Sequence, residues 1–297
     1  MTLVKAIIMG IIQGLAEFLP VSSSGHLAIF KHILNLDLES GLLFDVLLHI
    51  GTLAAVFVAF WSDIAKLIGE GFGIIGDFFL NLYYVTLGRG VKDEEGNPRG
   101  WKQILRTPYR RFVMMVIVST IPTGILGILL GDVIEAASAT VIVPGIFLII
   151  TSILLLVAEN VRPKNAGRIK ERNAKYSHAL IVGTAQGIAT MPGLSRSGTT
   201  ITACLLCGFD KNFAVRYSFI MSIPAILGAL VLELADIGEL VIDKQEFLYY
   251  LAGTVVSAVV GYICIKTMLV VVRQKKFKYF AYYCFVVGLI AVLWNFF

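Results

Sequence analysis

Six long apolar windows dominate this sequence of 297 residues. Each has about 20 residues, the length of helix that crosses the hydrocarbon core of a bilayer, and they lie at about 42–61, 112–131, 139–158, 214–235, 247–265 and 279–297. The chain is 57% hydrophobic and 15% charged, whereas soluble domains are about 45–50% apolar and about 25% charged. The chain therefore has too few polar residues to cover its surface in water. The sequence predicts an all-α integral membrane protein with six transmembrane helices.

Two further apolar segments are interrupted halfway by polar residues, glycine and proline. They lie at about 3–34 and 178–208, and each half, with roughly 13–17 residues, is too short for a hydrocarbon core about 30 Å thick. Backbone that is not helical is tolerated at this depth only where protein or a wet cavity surrounds it. We therefore expect two re-entrant helix pairs, each of which enters and leaves by the same face of the membrane.

The distribution of charge predicts the orientation. Lys and Arg are concentrated in three segments, 62–111, 159–177 and 270–278, whereas the other loops are acidic or nearly free of them. Threading the six spans and two re-entrant pairs puts all three basic segments on one side, which is cytoplasmic by the positive-inside rule. Both termini are then predicted on the outer, periplasmic side. We expect 62–111 to be a charged cytoplasmic insertion with an interfacial helix over 70–88. No nucleic-acid partner is expected.

An internal repeat relates the two interrupted segments. Residues 10–25 match residues 183–198 at a constant offset of 173, with seven identities in sixteen positions. Three predicted spans follow each copy, and because three is odd, the second copy must be inverted in the membrane. The sequence thus predicts one membrane domain over 1–297, with repeat 1 over about 1–160 and repeat 2 over about 176–297. Inverted repeats place their binding site near the bilayer midplane.

Both interruptions resemble anion-binding helix N-termini. Ser22 and Ser195 are candidate N-caps of the second half-helices, whose free N–H groups and positive dipole ends attract anions. The guanidinium of Arg196 suits phosphate oxygens, so the ligand is predicted to be a phosphate or diphosphate. For Ser22 and Ser24, support of the backbone is an equally open role. The predicted phosphate-binding residues are Ser22, Ser24, Gly25, Ser195, Ser197, Gly198 and Thr199.

The first interruption also carries residues that the second lacks, namely Glu17, Ser23 and His26. Ionisable side chains within a membrane are costly and usually functional. Phosphoryl transfer needs charge neutralisation, a nucleophile or positioned water, and a proton donor, so we predict Glu17, Ser23, His26 and Arg196 as catalytic residues. Gln13 lies one turn before Glu17, and the two are candidate ligands of a divalent cation, Mg²⁺ or Ca²⁺.

Three other features carry weaker signals. Asp45 and His49 lie one helical turn apart, and a structural ion pair is at least as well supported as a catalytic role. Arg216, near the cytoplasmic end of a span, is expected to extend toward the membrane surface. Cys204 and Cys207 form a C-x-x-C motif in an apolar run without a second ligand pair, so we interpret them as small buried hydrophobic residues.

Four stretches resemble the undecaprenyl-diphosphate phosphatases, the bacitracin-resistance family of bacterial inner membranes. The likeness rests mainly on QGLAEFLPVSSSGHL at 13–27 and PGLSRSGTT at 192–200, with further support from FDVLLHIGT at 44–52 and RYSFIMSIPAILG at 216–228. It covers nearly the whole chain apart from the charged segment around 88–108. The resemblance implies an enzyme that removes one phosphate from undecaprenyl diphosphate and regenerates the monophosphate carrier for cell-wall precursors.

The resemblance also implies a fold and a set of roles. The family's fold is similar to the one predicted above, with a site open toward the periplasm. Carried over by position, the essential carboxylate would be Glu17, the nucleophile Ser23, the acid/base His26, and the phosphate clamp Arg196 with Ser195 and Ser197. Gln13 departs from the family's common Glu-x-x-x-Glu pattern. A neutral amide binds metal more weakly and cannot act as a base, which weakens the prediction of a metal site.

Two functions from different classes fit this pattern. The first is a membrane phosphatase acting on a polyprenyl diphosphate, with either Ser23 or a water activated by Glu17 as nucleophile. The second is a transporter, either a flippase for the lipid monophosphate or a carrier of phosphate-bearing anions, since inverted repeats with broken helices are typical of transporters. Glu17, Ser23 and His26 together favour the phosphatase. The expected partners are the polyprenyl diphosphate and membrane lipids, and a homodimer is compatible with the sequence.

Overall fold

The computed structural model describes residues 1–34, 38–86, 101–160, 167, 169–236, 243–274 and 276–294. Within these residues the regular structure is helical, with one isolated bridge between Ile169 and Phe209. In chain order the helices are α1 (Leu3–Phe18), α2 (Ser23–Ile33), α3 (Leu38–Ala59), α4 (Trp61–Thr86), α5 (Pro108–Leu129), α6 (Gly131–Ser138), α7 (Ile142–Asn160), α8 (Tyr176–Ile188), α9 (Arg196–Leu206), α10 (Lys211–Asp236), α11 (Lys244–Gln274) and α12 (Phe277–Trp294).

Five of the described helices, α5, α7, α10, α11 and α12, contain stretches long and apolar enough to cross a membrane. A sixth candidate is formed by α3 together with α4, which are bent by 86° at their junction. The five single helices and α3 lie at the six predicted windows, whereas α4 lies outside them. The prediction of an all-α, multi-pass membrane protein is confirmed, with five spans or up to six among the described residues. The short helix α6 lies between the second and third windows, where the sequence predicts a loop.

The two interrupted segments form helix pairs. The first pair breaks between Phe18 and Ser23, and the second breaks between Ile188 and Arg196. We call residues 17–26 the first tip and residues 190–199 the second tip. Both breaks fall where the sequence places them, at the serine-rich and Gly/Pro-containing stretches.

Glycines let the half-helices pack closely on long helices of the other half of the chain. Helix α1 packs along α11, and α8 packs along α5. A Cβ atom on Gly10 would lie under 3.0 Å from the carbonyl oxygen of Gly253. A Cβ atom on Gly183 would also lie under 3.0 Å from the carbonyl oxygen of Ser119. Small residues at such crossings let helix backbones approach within a membrane. The tips are therefore held by backbone contacts that larger residues would prevent.

Helix α4 is longer than the interfacial helix predicted over 70–88, since it begins at Trp61. One side of it binds the start of α5, where Arg110 donates to Glu70 at 2.8 Å and to Asp77 at 2.6 Å. A Cβ on Gly73 would lie 2.6 Å from Arg110 Nη2, so glycine leaves room for the guanidinium. Charged residues on this side are therefore satisfied by the protein, while Phe72 and other apolar side chains are exposed. The interfacial location of α4 stays a prediction.

Gly183→Ala is expected to lower the free energy of unfolding by about 1–3 kcal/mol, the usual range for an overpacked site. The added methyl group would press on the backbone carbonyl of Ser119. Gly124→Ala is the matched control, because nothing lies within 4 Å of a Cβ there. Thermal unfolding midpoints of the two detergent-purified variants would measure the difference. Equal midpoints would contradict the packing described above.

Candidate active site

The first tip begins with a strained serine. Ser22 has φ 71° and ψ 103°, a region that residues other than glycine rarely occupy and that costs about 1–3 kcal/mol. Its Oγ accepts a hydrogen bond from the N–H of Gly25 at 3.3 Å, so the predicted N-cap is confirmed. Strain of this kind persists only where the surrounding structure fixes it. The first N–H groups of α2 are thereby held in place at the tip.

The second tip is capped by Ser195, whose Oγ accepts from the N–H of Gly198 at 3.1 Å. Thr151 of α7 supports this tip from behind, since its hydroxyl donates to Gly193 O at 3.0 Å and accepts from Ser195 N at 3.0 Å. Gly193 has φ +93°, and a Cβ there would lie under 3.0 Å from the carbonyl oxygen of Pro144. The sequence predicts the cap but not Thr151, a hydroxyl residue within an otherwise apolar span.

The two tips touch each other. The hydroxyl of Ser197 donates to Leu19 O at 3.3 Å. A Cβ on Gly198 would lie 3.3 Å from the Cβ of Pro20, and a Cβ on Gly25 would lie 2.8 Å from the Cα of Gly193. The predicted phosphate-binding glycines therefore lie at the contact between the tips. Any larger residue at Gly25 would separate them.

Glu17 lies at the centre of this contact, with its side chain only 1% exposed. Its Oε1 is paired with the guanidinium of Arg196 from the second tip. Its Oε2 accepts from Ser23 Oγ at 2.6 Å and from Gln13 Nε2 at 3.1 Å. A buried carboxylate is tolerated because it is paired and hydrogen-bonded in this way. Three of the four predicted catalytic residues are thus in direct contact.

His26, the fourth, has both ring nitrogens engaged elsewhere. Nδ1 lies 2.8 Å from the carbonyl oxygen of Ser22, and Nε2 lies 2.9 Å from the hydroxyl of Tyr283 on α12. A carbonyl oxygen can only accept, so the proton is on Nδ1 and Tyr283 donates to Nε2. The two rings are stacked with centroids 5.6 Å apart. Sequence reasoning missed Tyr283, which lies among several aromatic residues of an apolar helix.

The remaining predicted phosphate-binding hydroxyls surround these groups. Ser24 is exposed, with its Oγ 3.4 Å from that of Ser22, and the Oγ atoms of Ser195 and Ser197 are also 3.4 Å apart. The hydroxyl of Thr199 is buried and has no hydrogen-bond partner in the part of the chain that the structure describes. The hydroxyls of Ser24 and Thr199 can therefore bind a ligand without breaking a strong contact within the protein.

Asp45 and His49 do not form the ion pair considered from sequence. Asp45 is paired instead with Lys31 of α2, and His49 Nδ1 lies 2.9 Å from the backbone oxygen of Asp45. His49 Nε2 lies 4.0 Å from Glu17 Oε2, so this histidine borders the site. Helical spacing alone could not reveal this contact, because it depends on how α3 packs against α1.

Two other expectations have different outcomes. Arg216 does not simply extend toward the membrane surface: it is paired with Asp63 at 3.3 Å and with Glu171. These carboxylates come from loops and helices distant in sequence. The interpretation of Cys204 and Cys207 as small buried hydrophobic residues is confirmed for Cys204, which is buried, whereas Cys207 is only half-buried; all four cysteines are free.

The described residues do not fit a divalent cation held by the protein alone. They contain no group of three or more His, Cys, Asp or Glu side chains placed to hold a metal ion. Both oxygens of Glu17 are engaged by protein groups, and Gln13 turns its Nε2 rather than its Oε1 toward Glu17. The Oε1 atom of Gln13 is buried and unpartnered. One carboxylate and one amide are a weak ligand set.

Comparisons with known proteins agree with this architecture. The model of a family described as bacitracin resistance protein BacA matches residues 6–290. An undecaprenyl-diphosphatase of Methanosphaera stadtmanae is 40% identical over 291 residues, 98% of this chain and 97% of the relative. One of Alkaliphilus metalliredigens is 38% identical over 295 residues, 99% of each chain. One of Methanobrevibacter smithii is 40% identical over 294 residues, 99% of this chain and 98% of the relative.

The fold and the site thus define an all-α, multi-pass membrane protein with a buried polar centre where two broken helix pairs meet. The chain belongs to the bacitracin resistance protein BacA family. The resemblance noted in the sequence is confirmed over nearly the whole chain.

Gln13→Glu is expected to create a two-carboxylate site and to strengthen binding of Mg²⁺ or Ca²⁺ at least about tenfold, because carboxylates are the ligands these ions prefer. Calorimetric titration of the substrate-free protein would measure it, with Gln186→Glu as the matched control at the repeat-related position. If wild type bound either ion as tightly as Gln13→Glu, the assignment of a weak ligand set would be wrong.

Proposed function

We propose that this protein is a membrane phosphatase that hydrolyses undecaprenyl, or polyprenyl, diphosphate to the monophosphate and inorganic phosphate. It thereby recycles the lipid carrier for cell-wall synthesis and confers resistance to bacitracin. Family membership and the named activity of the relatives support this function. The observation that carries it is Glu17, whose carboxylate touches a serine hydroxyl of one tip and the arginine of the other.

Substrate binding begins with an exchange of partners at Arg196. In the substrate-free site its guanidinium is neutralised by Glu17. A diphosphate offers more negative charge and a geometry suited to a bidentate contact, so we propose that Arg196 turns to the terminal phosphate. The N–H groups at the starts of α2 and α9, and the hydroxyls of Ser24 and Thr199, complete the phosphate site.

Release of Arg196 frees Glu17 to act as a base. Ser23 Oγ lies 2.6 Å from Glu17 Oε2, within the distance required for general-base catalysis. As Ser23, or a water in its place, attacks the terminal phosphorus, its proton passes to Glu17. The bond from phosphorus to the bridging oxygen breaks, and that oxygen leaves with the lipid monophosphate. Where Ser23 is the nucleophile, a water then attacks the phosphoserine and gives one proton to the serine oxygen as the bond from phosphorus to Oγ breaks, and inorganic phosphate leaves. Arg196 and the helix N-termini stabilise the charge that develops on the phosphoryl oxygens.

His26 is proposed as the acid/base that serves the leaving oxygen. In the substrate-free site its Nδ1 proton is held by Ser22 O and its Nε2 accepts from Tyr283, so His26 can exchange a proton with the leaving oxygen only after Tyr283 is displaced from Nε2. Any divalent cation is proposed to enter with the diphosphate, whose oxygens supply the ligands that Gln13 and Glu17 lack. The lipid tail stays in the bilayer between helices, so membrane lipids are direct neighbours of the site.

We propose that the two halves form an inverted repeat of re-entrant pairs within a single domain. This proposal is supported by the way each half packs on the other: α1 of the first half packs on α11 of the second, and α8 of the second half packs on α5 of the first. Gly10 and Gly183, which make these crossings, are related by the repeat offset. With the basic segments cytoplasmic, the first tip opens to the outer face of the inner membrane and both termini lie outside. The site then receives its substrate from the outer leaflet.

Phosphate release from undecaprenyl diphosphate by the detergent-purified protein tests the function. Glu17→Gln is expected to lower the rate at least about 100-fold, since general-base catalysis contributes about 10²–10⁴-fold. Arg196→Ala is expected to lower it at least about 100-fold as well, since loss of one group that stabilises transition-state charge costs about 10²–10³-fold. Ser138→Ala, on an exposed face of α6, is the control and should change the rate less than about twofold.

The outcome separates the two functions considered from sequence. Undiminished release by Glu17→Gln would contradict the assigned site. Tight lipid binding by wild type without phosphate release, with or without added divalent cation, would contradict the phosphatase and favour a transporter. Thermal unfolding midpoints of the variants would show that the differences do not arise from misfolding.

A further inference from the structure

A small cavity lies beside the pair of Glu17 and Arg196, on the side of α10. Its walls are both members of the pair, Ser197 of the second tip, and Phe18, Ser218, Phe219 and Ser222. The last three residues belong to the stretch RYSFIMSIPAILG at 216–228, which takes no part in the reaction as described above. The cavity therefore brings an unassigned polar face of α10 to the predicted catalytic residues.

Ser218 and Ser222 lie one turn apart, so they share one face of α10. Both are buried, with 2% and 6% of the residue exposed. Between them in sequence, Phe219 packs edge-to-face on Phe18, with ring centroids 5.5 Å apart. This aromatic contact holds the serine face of α10 against the end of α1, where Phe18 follows Glu17.

The hydroxyls of both serines have partners that they can exchange for a ligand. Ser222 Oγ donates to Phe219 O at 2.8 Å, a carbonyl of its own helix. Ser218 Oγ lies 2.5 Å from Thr200 Oγ1. Because Thr200 donates its one hydroxyl proton to Arg196 O at 2.8 Å, Ser218 is the donor in the contact between the two hydroxyls. Rotation about the Cβ–Oγ bond of either serine redirects its proton toward the cavity.

The lining of the cavity supplies donors to an anion. A guanidinium carries several N–H donors and each serine one O–H, so Arg196, Ser197, Ser218 and Ser222 border the cavity with donors from two helices. A phosphate group has oxygens that point in several directions, and its hydrogen bonds to charged donors are the strong ones. In the proposed mechanism Arg196 leaves Glu17 for the terminal phosphate, which brings the oxygens of that phosphate to the serines.

We propose that Ser218 and Ser222 bind the non-bridging oxygens of the terminal phosphate and hold the inorganic phosphate formed from it, an inference that rests on the proposed phosphatase function. Glu17, the one acidic residue among those that line the cavity, accepts from Ser23 at Oε2 and is bound to Arg196 at Oε1. The nucleophile and the guanidinium thus meet this carboxylate at different oxygens. The serines of α10 hold the phosphoryl oxygens on the side of Arg196 and leave the approach from Ser23 free. They form no covalent bond and stabilise the charge that develops on these oxygens.

Titration of the detergent-purified, substrate-free protein with inorganic phosphate tests this site without requiring turnover. Ser218→Ala and Ser222→Ala are each expected to weaken phosphate binding about tenfold, since each removes a hydrogen bond to a charged group. KM for undecaprenyl diphosphate should rise in parallel. Ser257→Ala is the matched control, because this buried serine of α11 donates to Leu48 O at 3.0 Å. Its loss should leave phosphate affinity and KM within about twofold of wild type, as expected for an independent site.

A second comparison separates direct binding from support of Thr200. In a Thr200→Val background, Ser218→Ala should still weaken phosphate binding about tenfold. A serine that only holds Thr200 would have no further effect there, and that result would overturn direct binding by Ser218. Ser222→Ala keeps the proposal testable if loss of the Thr200 contact unfolds the protein, because the Ser222 hydroxyl donates within α10.

The remaining outcomes are equally distinct. Wild-type phosphate affinity in both alanine variants, or no phosphate binding by wild type, would overturn the proposal. If phosphate bound as expected but undecaprenyl diphosphate were not hydrolysed, the proposed phosphatase function would fall and the phosphate site would remain.

Discussion

The pairing of Glu17 with Arg196 is the interaction on which the site depends. It joins residues 179 positions apart in sequence, one from each tip, within a polar centre enclosed by apolar helices. Removing one partner of a buried pair leaves an uncompensated charge and typically costs about 3–5 kcal/mol. The pair therefore fixes how the tips meet. In the proposed mechanism the same pair is a latent binding site, because an incoming diphosphate replaces the carboxylate on Arg196.

Close packing of helix backbones allows Glu17 and Arg196 to come into contact. The broken half-helices can meet only if the helices around them approach without bulky side chains. Gly10 and Gly183 provide this where α1 crosses α11 and α8 crosses α5. Gly25 does so at the contact between the tips, and Gly193 does so where the second tip meets Pro144 of α7. Helices α7 and α12 also support the tips. Thr151 of α7 binds the second tip through the carbonyl oxygen of Gly193, and Cys284 of α12 makes a weak contact with the first tip, from its Sγ to Pro20 O at 3.7 Å. Fold and site are thus determined by the same contacts.

Much of the fold and part of the candidate site could be predicted from sequence, because the patterns that indicate them are local. Apolar length predicts the spans, interrupted apolar runs predict the broken pairs, and serine at each break predicts the caps Ser22 and Ser195. Costly ionisable residues within the membrane identified Glu17 and Arg196 as partners in one site. What sequence reasoning missed depends on tertiary packing. His49, Tyr283 and Thr151 reach the tips from α3, α12 and α7, at distances set by helix crossings that no local pattern encodes.

The most direct test of the account is a disulfide between the tips in native membranes. In a chain without its native cysteines, Pro20→Cys with Gly198→Cys should cross-link readily under mild oxidation, since the two Cβ positions are 3.3 Å apart, close to the ~3.5–4.5 Å of natural disulfides. Pro20→Cys with Gly69→Cys is the control, because nothing lies within 4 Å of a Cβ at Gly69. Linked peptides in mass spectra from the first pair alone are the predicted result. Equal cross-linking in both pairs, or none in the first, would contradict the meeting of the tips.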